Sequence, residues 1–191
     1  MTATDQKVTF MPQQTLLGIS GSLRADSFNR KLLAEAARLY GDAAYVEADL
    51  NLPLYNGDLE EAEGIPAAVQ KLADQIAAAD AVLISTPEYN KGISGVLKNA
   101  LDWVSRTKPS PWPGKPVAIL SATAGRAGGE RAQVMLRNCM VAFRPRILQG
   151  PEMLLAQTAD QFDENGHLTG EIYIKTLTDL MEALRAETAR G

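Results

Sequence analysis

The chain has 191 residues, of which 46% are hydrophobic and 22% are charged, and its formal net charge is −4 at pH 7. This length and composition predict a flexible N-terminal tail over 1–13 and a single folded domain over 14–191. The charges are mixed and form no long basic run, which argues against nucleic acid and anionic membrane surfaces as partners. We therefore expect small-molecule partners.

Apolar runs alternate with helical patterns along the chain. In chain order we predict strand 15–19, helix 29–40, strand 44–50, helix 66–79, strand 81–85, helix 96–106, strand 117–121, helix 132–143, strand 146–155 and helix 173–186. Segment 51–64 contains proline, two glycines and several acidic residues, so we predict that it is a loop.

The alternation predicts the fold. Parallel strands need crossover connections, so five strands separated by helices imply an α/β protein with a parallel sheet. With right-handed crossovers, we expect a flavodoxin-like, doubly wound, five-stranded sheet in the order 2-1-3-4-5, with helices on both faces. Ligands bind at the carboxyl ends of the strands in such folds, and the unusual loops 20–30, 86–95 and 121–129 follow predicted strands.

The first of these loops has the chemistry of a phosphate site. Segment 18–30 reads G-I-S-G-S-L-R-A-D-S-F-N-R and ends where a helix is predicted to begin, and helix N-termini favour anions. The two arginines suit a terminal phosphate dianion. An alternative is that Ser27 only caps the helix and that the arginines are solvated. The candidate phosphate ligands are Ser20, Ser22, Arg24, Ser27, Asn29 and Arg30.

The other two loops could enclose a planar ring. The second, T-P-E-Y-N-K-G over 86–92, offers the ring of Tyr89 for stacking and the amide of Asn90 for hydrogen bonds, although a simple turn would use the same residue types. The third, S-A-T-A-G-R-A-G-G over 121–129, lets its backbone approach a ligand closely. Taken alone, this glycine-rich loop is a weak signal.

Taken together, these motifs resemble a known family. The patterns G-S-L-R-x-x-S-x-N-R, P-E-Y-N, L-K-N-A-L-D-W and S-x-x-x-G-x-x-G-G occur in the order and at the spacing of the NADPH-dependent FMN reductase family, and the quinone and chromate reductase branch is most similar. The resemblance extends from residue 16 to about residue 155. It implies bound FMN, NADPH or NADH as co-substrate, and a homodimer or homotetramer.

The resemblance also implies roles for individual residues. The phosphate candidates match the positions that hold the FMN phosphate, although some family members have a small residue in place of Arg30. The isoalloxazine ring would lie along the second loop and be flanked by Ser121 and the loop to Gly129, which includes Gly125. The second-loop residues that match are Pro87, Glu88, Tyr89 and Asn90.

We expect the protein to pass hydride from a nicotinamide through FMN to flavin, quinone, chromate or similar acceptors. FMN would carry this chemistry, so no catalytic side chain is predicted. The alternative is a flavodoxin-type electron carrier without nicotinamide turnover. Arg106 either complements the end of a helix or binds substrate, and His167 is predicted to be solvated on the surface.

The remaining features bear on compartment and metal content. The single cysteine, Cys139, excludes an internal disulfide and a cysteine-built metal site within one chain, and we predict that it is a small buried apolar residue. No metal site is predicted. The sequence has no apolar run of about 18 residues and no signal-peptide pattern in its polar N-terminal segment, so we expect a cytoplasmic protein without membrane insertion.

Overall fold

The structure is a computed structural model that describes residues 13–191, so almost all of the predicted tail over 1–13 lies outside the described residues. Short 3₁₀ turns occur at Val141–Phe143 and Thr158–Asp160. The longer elements are β1 (Gln14–Ser20), α1 (Phe28–Tyr40), β2 (Ala43–Ala48), α2 (Gly57–Glu63), α3 (Ala67–Ala78), β3 (Ala81–Thr86), α4 (Gly95–Val104), β4 (Pro116–Ala122), α5 (Glu130–Met140), β5 (Arg146–Ile147), β6 (Met153–Leu155) and α6 (Glu171–Thr188).

The strands form one parallel sheet in the order β2-β1-β3-β4-β5, which confirms the predicted flavodoxin-like order. Its register aligns the carboxyl ends of the central strands. Ser20 lies opposite Ser85, and Thr86 lies opposite Ser121. The loops that follow β1, β3 and β4 therefore leave the sheet side by side.

Helices cover both faces of the sheet, and this explains why β3 and β4 are apolar throughout. Alternate residues of a strand point to opposite faces. Val82 and Ile84 pack with α3, α4 and α5, whereas Ala81 and Leu83 pack with α1 and α6. Cys139 is partly buried and packs against the first of these two cores.

Two predicted elements differ from the structure. The predicted loop 51–64 contains α2, which begins at Gly57 after the Asn56 side chain accepts a hydrogen bond from the backbone N–H of Asp58. None of its residues is buried, so the helix has no apolar periodicity that a sequence pattern could reveal. The predicted strand 146–155 is divided into β5 and β6, which pair with the beginning and the end of β4.

His167 is exposed, as predicted, but it also contacts a buried carboxylate. Its side chain is about half exposed, but its Nδ1 atom lies 3.0 Å from Oε2 of Glu35, a carboxylate of α1 that is almost completely buried. Arg38 donates two hydrogen bonds to the same carboxylate. His167 therefore anchors the segment before α6 to α1 instead of being merely solvated.

Each helix within residues 13–191 is too short or too polar to span a lipid bilayer.

Candidate functional site

A cleft of about 580 Å³ opens where the loops after β1, β3 and β4 meet. This volume is within the range of small-molecule sites. All three loops that the sequence singled out contribute to it. The predicted ligands that line the cleft are Ser22, Arg24, Ser27, Asn29, Pro87, Glu88, Tyr89 and Gly125.

One end of the cleft is the N-terminus of α1. The Oγ atom of Ser27 accepts a hydrogen bond from the backbone N–H of Asn29 at 3.2 Å and so caps the helix. Ser22 accepts a longer hydrogen bond, 3.4 Å, from the backbone N–H of Arg24. The side chain of Arg24 is exposed and lines the cleft. A helix N-terminus, two hydroxyls and a guanidinium together form a site suited to a phosphate dianion.

Asn29 links this end of the cleft to the strand ends. Its Oδ1 atom accepts hydrogen bonds from the Ser85 hydroxyl at 2.8 Å and from the backbone N–H of Ala122 at 3.1 Å. Its Nδ2 group donates to the carbonyl of Ala122 at 3.0 Å. Because the side chain is buried and these bonds occupy its amide, Asn29 orders the site from within the protein.

The second loop is fixed by Glu88. Its Oε2 atom accepts hydrogen bonds from the backbone N–H groups of Arg131 and Ala132, in the first turn of α5. Glu88 therefore caps α5, which has no cap from its own N-cap residue, Gly129. The contact holds the loop after β3 against the loop after β4.

Tyr89 and Asn90 have different surroundings. The backbones of Tyr89 and Gly92 exchange two hydrogen bonds of 3.0 Å, which close a tight turn. Asn90 and Lys91 lie at the tip of this turn with φ values of 50° and 66°, and Asn90 does not line the cleft. The Tyr89 side chain does line it, and the residue is 52% exposed. Its ring is thus available for stacking.

The third loop approaches the cleft through its glycines. A Cβ atom on Gly125 would have no neighbour within 4 Å, so the backbone there borders open space. Gly128, at φ +61°, is packed instead, because a Cβ atom would lie 2.5 Å from the Leu154 carbonyl oxygen. Ser121 does not face the cleft as expected. It is completely buried, where its hydroxyl donates to the Gly128 carbonyl and accepts from Gln133.

Two phosphate candidates lie outside the cleft. Arg30 borders a separate hollow of about 330 Å³, where its Nε atom is 2.6 Å from Oε1 of Glu47 on β2. Ser20 borders the same hollow, and its hydroxyl donates to the carbonyl of Ser22 and accepts from the backbone N–H of Ser22. Ser20 thus shapes the turn, and Arg30 pairs with a neighbouring strand.

Arg106 is also not among the residues that line the cleft. Its Nε atom donates to both carboxylate oxygens of Glu60, at 2.9 and 3.0 Å. This hydrogen bonding lowers the pKa of Glu60 and raises that of Arg106. Arg106 ties α2 to the end of α4, a role that could not be foreseen without knowing that α2 exists.

The structure adds cleft residues that were not in the predicted ligand set. Arg126 lies within the glycine-rich loop, so the motif itself contained a signal for it. Thr158, by contrast, comes from a distant 3₁₀ turn and is placed only by the tertiary fold. The added lining residues are Phe28, Ala122, Thr123, Ala124, Arg126, Ala127, Gly129, Arg131 and Thr158.

Comparison with known proteins assigns the chain to a family. The model of the NADPH-dependent FMN reductase family matches residues 15–160. The chain is 44% identical over 172 residues to an NAD(P)H-dependent FMN reductase of Pseudomonas aeruginosa, with 89% of this chain and 92% of that protein covered. It is 38% identical over 165 residues to a quinone reductase of Escherichia coli K12, with 80% and 88% covered.

A solved structure supports the same assignment. FerB, a flavoenzyme NAD(P)H:(acceptor) oxidoreductase from Paracoccus denitrificans, matches with a TM-score of 0.83 and 34% sequence identity. The match covers 93% of this chain and 98% of FerB. Sequence motifs, strand order and these similarities agree: the chain belongs to the NADPH-dependent FMN reductase family.

Proposed function

We propose that this protein is an NAD(P)H-dependent oxidoreductase that holds FMN in the cleft and reduces quinone-type acceptors. The observation that carries the proposal is the cleft itself, which joins a serine-capped helix N-terminus to an exposed tyrosine ring and an open glycine backbone. Family membership favours this enzyme over the electron-carrier alternative.

The residues present fit FMN. Ser22, Arg24 and Ser27, together with the first turn of α1, would hold the phosphate. Tyr89 and the backbone at Gly125 would border the ring, since both face open space in the cleft. When bound, FMN supplies the capacity to accept hydride and pass it on, and the protein positions the reactants.

Chromate and free flavin are further candidate acceptors. The cleft is open to solvent at Tyr89, and an exposed site of this kind admits acceptors of varied shape. The three acceptors can be ranked by the rates at which the protein reduces a quinone, chromate and free FMN, each measured at saturating NADPH. A rate with quinone no higher than with oxygen alone would contradict the quinone assignment.

We further propose that the protein self-associates as a dimer or tetramer in the cytoplasm. Val134 and Val141 are 61% and 71% exposed and lie seven positions apart, on one face of the helical segment that includes α5. Exposed apolar side chains such as these support a subunit contact. Val134→Glu should lower the mass of the particle measured by light scattering, and an unchanged mass would exclude this face as the subunit contact.

The cytoplasmic location is supported by cysteine usage. The chain has a single cysteine, which is compatible with a reducing compartment.

Anaerobic spectroscopy tests the enzymatic proposal. The protein is purified, its FMN content is measured after denaturation, and NADPH or NADH is added without oxygen. Prompt loss of the flavin absorbance, followed by its return when a quinone is added, is the expected result. An unchanged oxidised spectrum at saturating concentrations of both nicotinamides would contradict the proposal and restore the carrier alternative.

A further inference from the structure

Three arginines line the cleft, and they come from different segments of the chain. Arg24 lies before α1, Arg126 lies in the loop after β4, and Arg131 lies in the first turn of α5. All three residues are exposed. Within residues 13–191, none of the three has a carboxylate within salt-bridge distance.

Several other arginines do form ion pairs. Arg30, Arg106 and Arg146 each pair with a glutamate from another element, at 2.6 to 2.9 Å. In the described part of the chain, Glu88 is the one acidic residue that lines the cleft, and its carboxylate already accepts two backbone N–H groups of α5. The cleft therefore carries an excess of positive charge that the protein itself does not neutralise.

One phosphate group accounts for only part of this charge. If the cleft holds FMN as proposed above, its phosphate belongs at Arg24, where the hydroxyls and the helix N-terminus converge. Arg126 and Arg131 come instead from the loop and the helix that follow β4. Guanidinium groups bind phosphate oxygens in bidentate fashion, and the other phosphorylated reactant of this chemistry is the nicotinamide dinucleotide.

We propose that Arg126 and Arg131 form a second anion subsite, which binds the phosphate groups of the nicotinamide dinucleotide. The inference rests on the proposed function, because it takes the nicotinamide as a reactant in the same cleft. These two side chains bind the reductant, and they are not needed to retain FMN. They bind the phosphates and take no part in hydride transfer.

Direct titration of the oxidised, FMN-loaded protein tests the subsite without turnover. NADP⁺ is titrated by calorimetry into the wild type and into the double variant Arg126→Ala/Arg131→Ala. We expect the Kd for NADP⁺ to rise at least about tenfold, because two charge-assisted contacts are lost. The matched control, Lys71→Ala/Arg144→Ala, removes two exposed positive charges that do not line the cleft and should leave this Kd unchanged.

Two further measurements sharpen the result. In the variant Arg126→Lys/Arg131→Lys the charge is retained, so its Kd should lie between those of the wild type and the alanine variant. NAD⁺ is titrated in parallel. A larger loss for NADP⁺ than for NAD⁺ places the 2′-phosphate at the subsite, whereas equal losses place the pyrophosphate there, and both results support the proposal. A Kd for NADP⁺ that is the same in the wild type and in Arg126→Ala/Arg131→Ala overturns it.

Failure of the subsite is distinguishable from failure of the proposed function. FMN content and the circular dichroism spectrum of each variant are measured first, and both should match those of the wild type. If the wild type binds no FMN, the proposed function fails, and NADP⁺ is titrated into the FMN-free protein. Arginine-dependent binding there would still support the subsite, and its absence would overturn it.

Discussion

Glu88 and Arg131 are joined by a hydrogen bond in which the backbone N–H of Arg131 donates to Oε2 of Glu88 at 3.0 Å. The contact crosses from the loop after β3 to the first turn of α5, and Ala132 donates to the same oxygen at 3.2 Å. A residue of the P-E-Y-N motif thus serves as the cap of a helix more than forty positions away. Its carboxylate contributes to the shape of the cleft through that helix.

Replacing Glu88 with alanine should therefore destabilise the protein and loosen the cleft. Loss of a helix cap costs about 1 kcal/mol, and the second loop would lose its attachment to the third. Urea unfolding of the FMN-free protein measures the first effect, and FMN titration measures the second. Glu88→Gln retains an acceptor oxygen and should lie between the wild type and alanine. Equal stability of wild type and Glu88→Ala would contradict the capping role.

A separate prediction concerns Arg24, which lies at the proposed phosphate end of the cleft. Arg24→Ala should weaken FMN binding about tenfold or more, because a charge-assisted contact to the phosphate is lost. Riboflavin lacks the phosphate, so its affinity should not change and provides the control. Flavin fluorescence quenching measures both affinities. A parallel loss for FMN and riboflavin would place Arg24 at the ring instead of at the phosphate.

Ser27 combines two roles that substitution can separate. Ser27→Ala should lower both the stability of the FMN-free protein, by about 1 kcal/mol, and the affinity for FMN, because the hydroxyl caps α1 and lines the cleft. Ser27→Asp should retain the cap but repel a phosphate. Thermal unfolding and FMN titration of the two variants distinguish these effects. If Ser27→Asp binds FMN as tightly as the wild type, the phosphate does not lie at this helix end.

Alanine substitutions at two glycines of the third loop should have different effects on stability and on FMN affinity. Gly125→Ala places a methyl group in open space, so the free energy of unfolding should hardly change while FMN affinity falls. Gly128→Ala brings a Cβ atom against the Leu154 backbone at a positive φ, and should destabilise the protein by about 1 kcal/mol or more. Urea unfolding with FMN titration separates the two. The same loss of stability in both variants would contradict the conclusion that Gly125 borders open space while Gly128 is packed.

Acid stability should depend on Glu35. Burial alone would raise the pKa of this carboxyl, but hydrogen bonds from Arg38, His167 and the backbone of Leu168 outweigh burial and lower it below the usual value of 4.5. The ionised form is therefore favoured by folding. Its contribution is complete above pH 4.5 and is lost as the pH falls through the lowered pKa.

The variant Glu35→Gln tests this contribution. It should be less stable than the wild type by about 2 kcal/mol at pH 7, and the difference should shrink below pH 4.5. Urea unfolding at a series of pH values measures both quantities. A difference that stays constant down to pH 2 would show that the ionisation of Glu35 contributes nothing.

Much of the fold could be predicted from the sequence because its strands are buried on both faces. Continuous apolar runs such as 81–84, separated by helical periodicity, specify a parallel sheet and so the edge at which ligands bind. Helix α2 escaped prediction for the opposite reason. It has no buried residue, so its local signals were confined to its ends: the capping asparagine at position 56, the acidic first turn and Gly64 at the C-cap.

The hydrogen-bond and ion-pair partners of individual side chains were harder to predict from the sequence than the fold. Arg30 belongs to the phosphate motif by its spacing, but one turn of helix beyond Ser27 is enough to direct its guanidinium towards Glu47. Ser121 lies near the end of an apolar strand, where a ligand contact was expected, but the glycine-rich loop folds over it. Residue type and spacing identify the loops, whereas the packing of one loop on another decides which atoms face a ligand.

The buried amide of Asn29 has a consequence for the cost of binding. It belongs to the helix whose N-terminus is proposed to bind the FMN phosphate, and its hydrogen bonds fix that helix to Ala122, where the glycine-rich loop begins. The separation between the two ends of the cleft is thus set in the absence of any ligand. A flavin nucleotide would find both ends preorganised, so little conformational entropy is lost on binding and more of the contact energy appears as affinity.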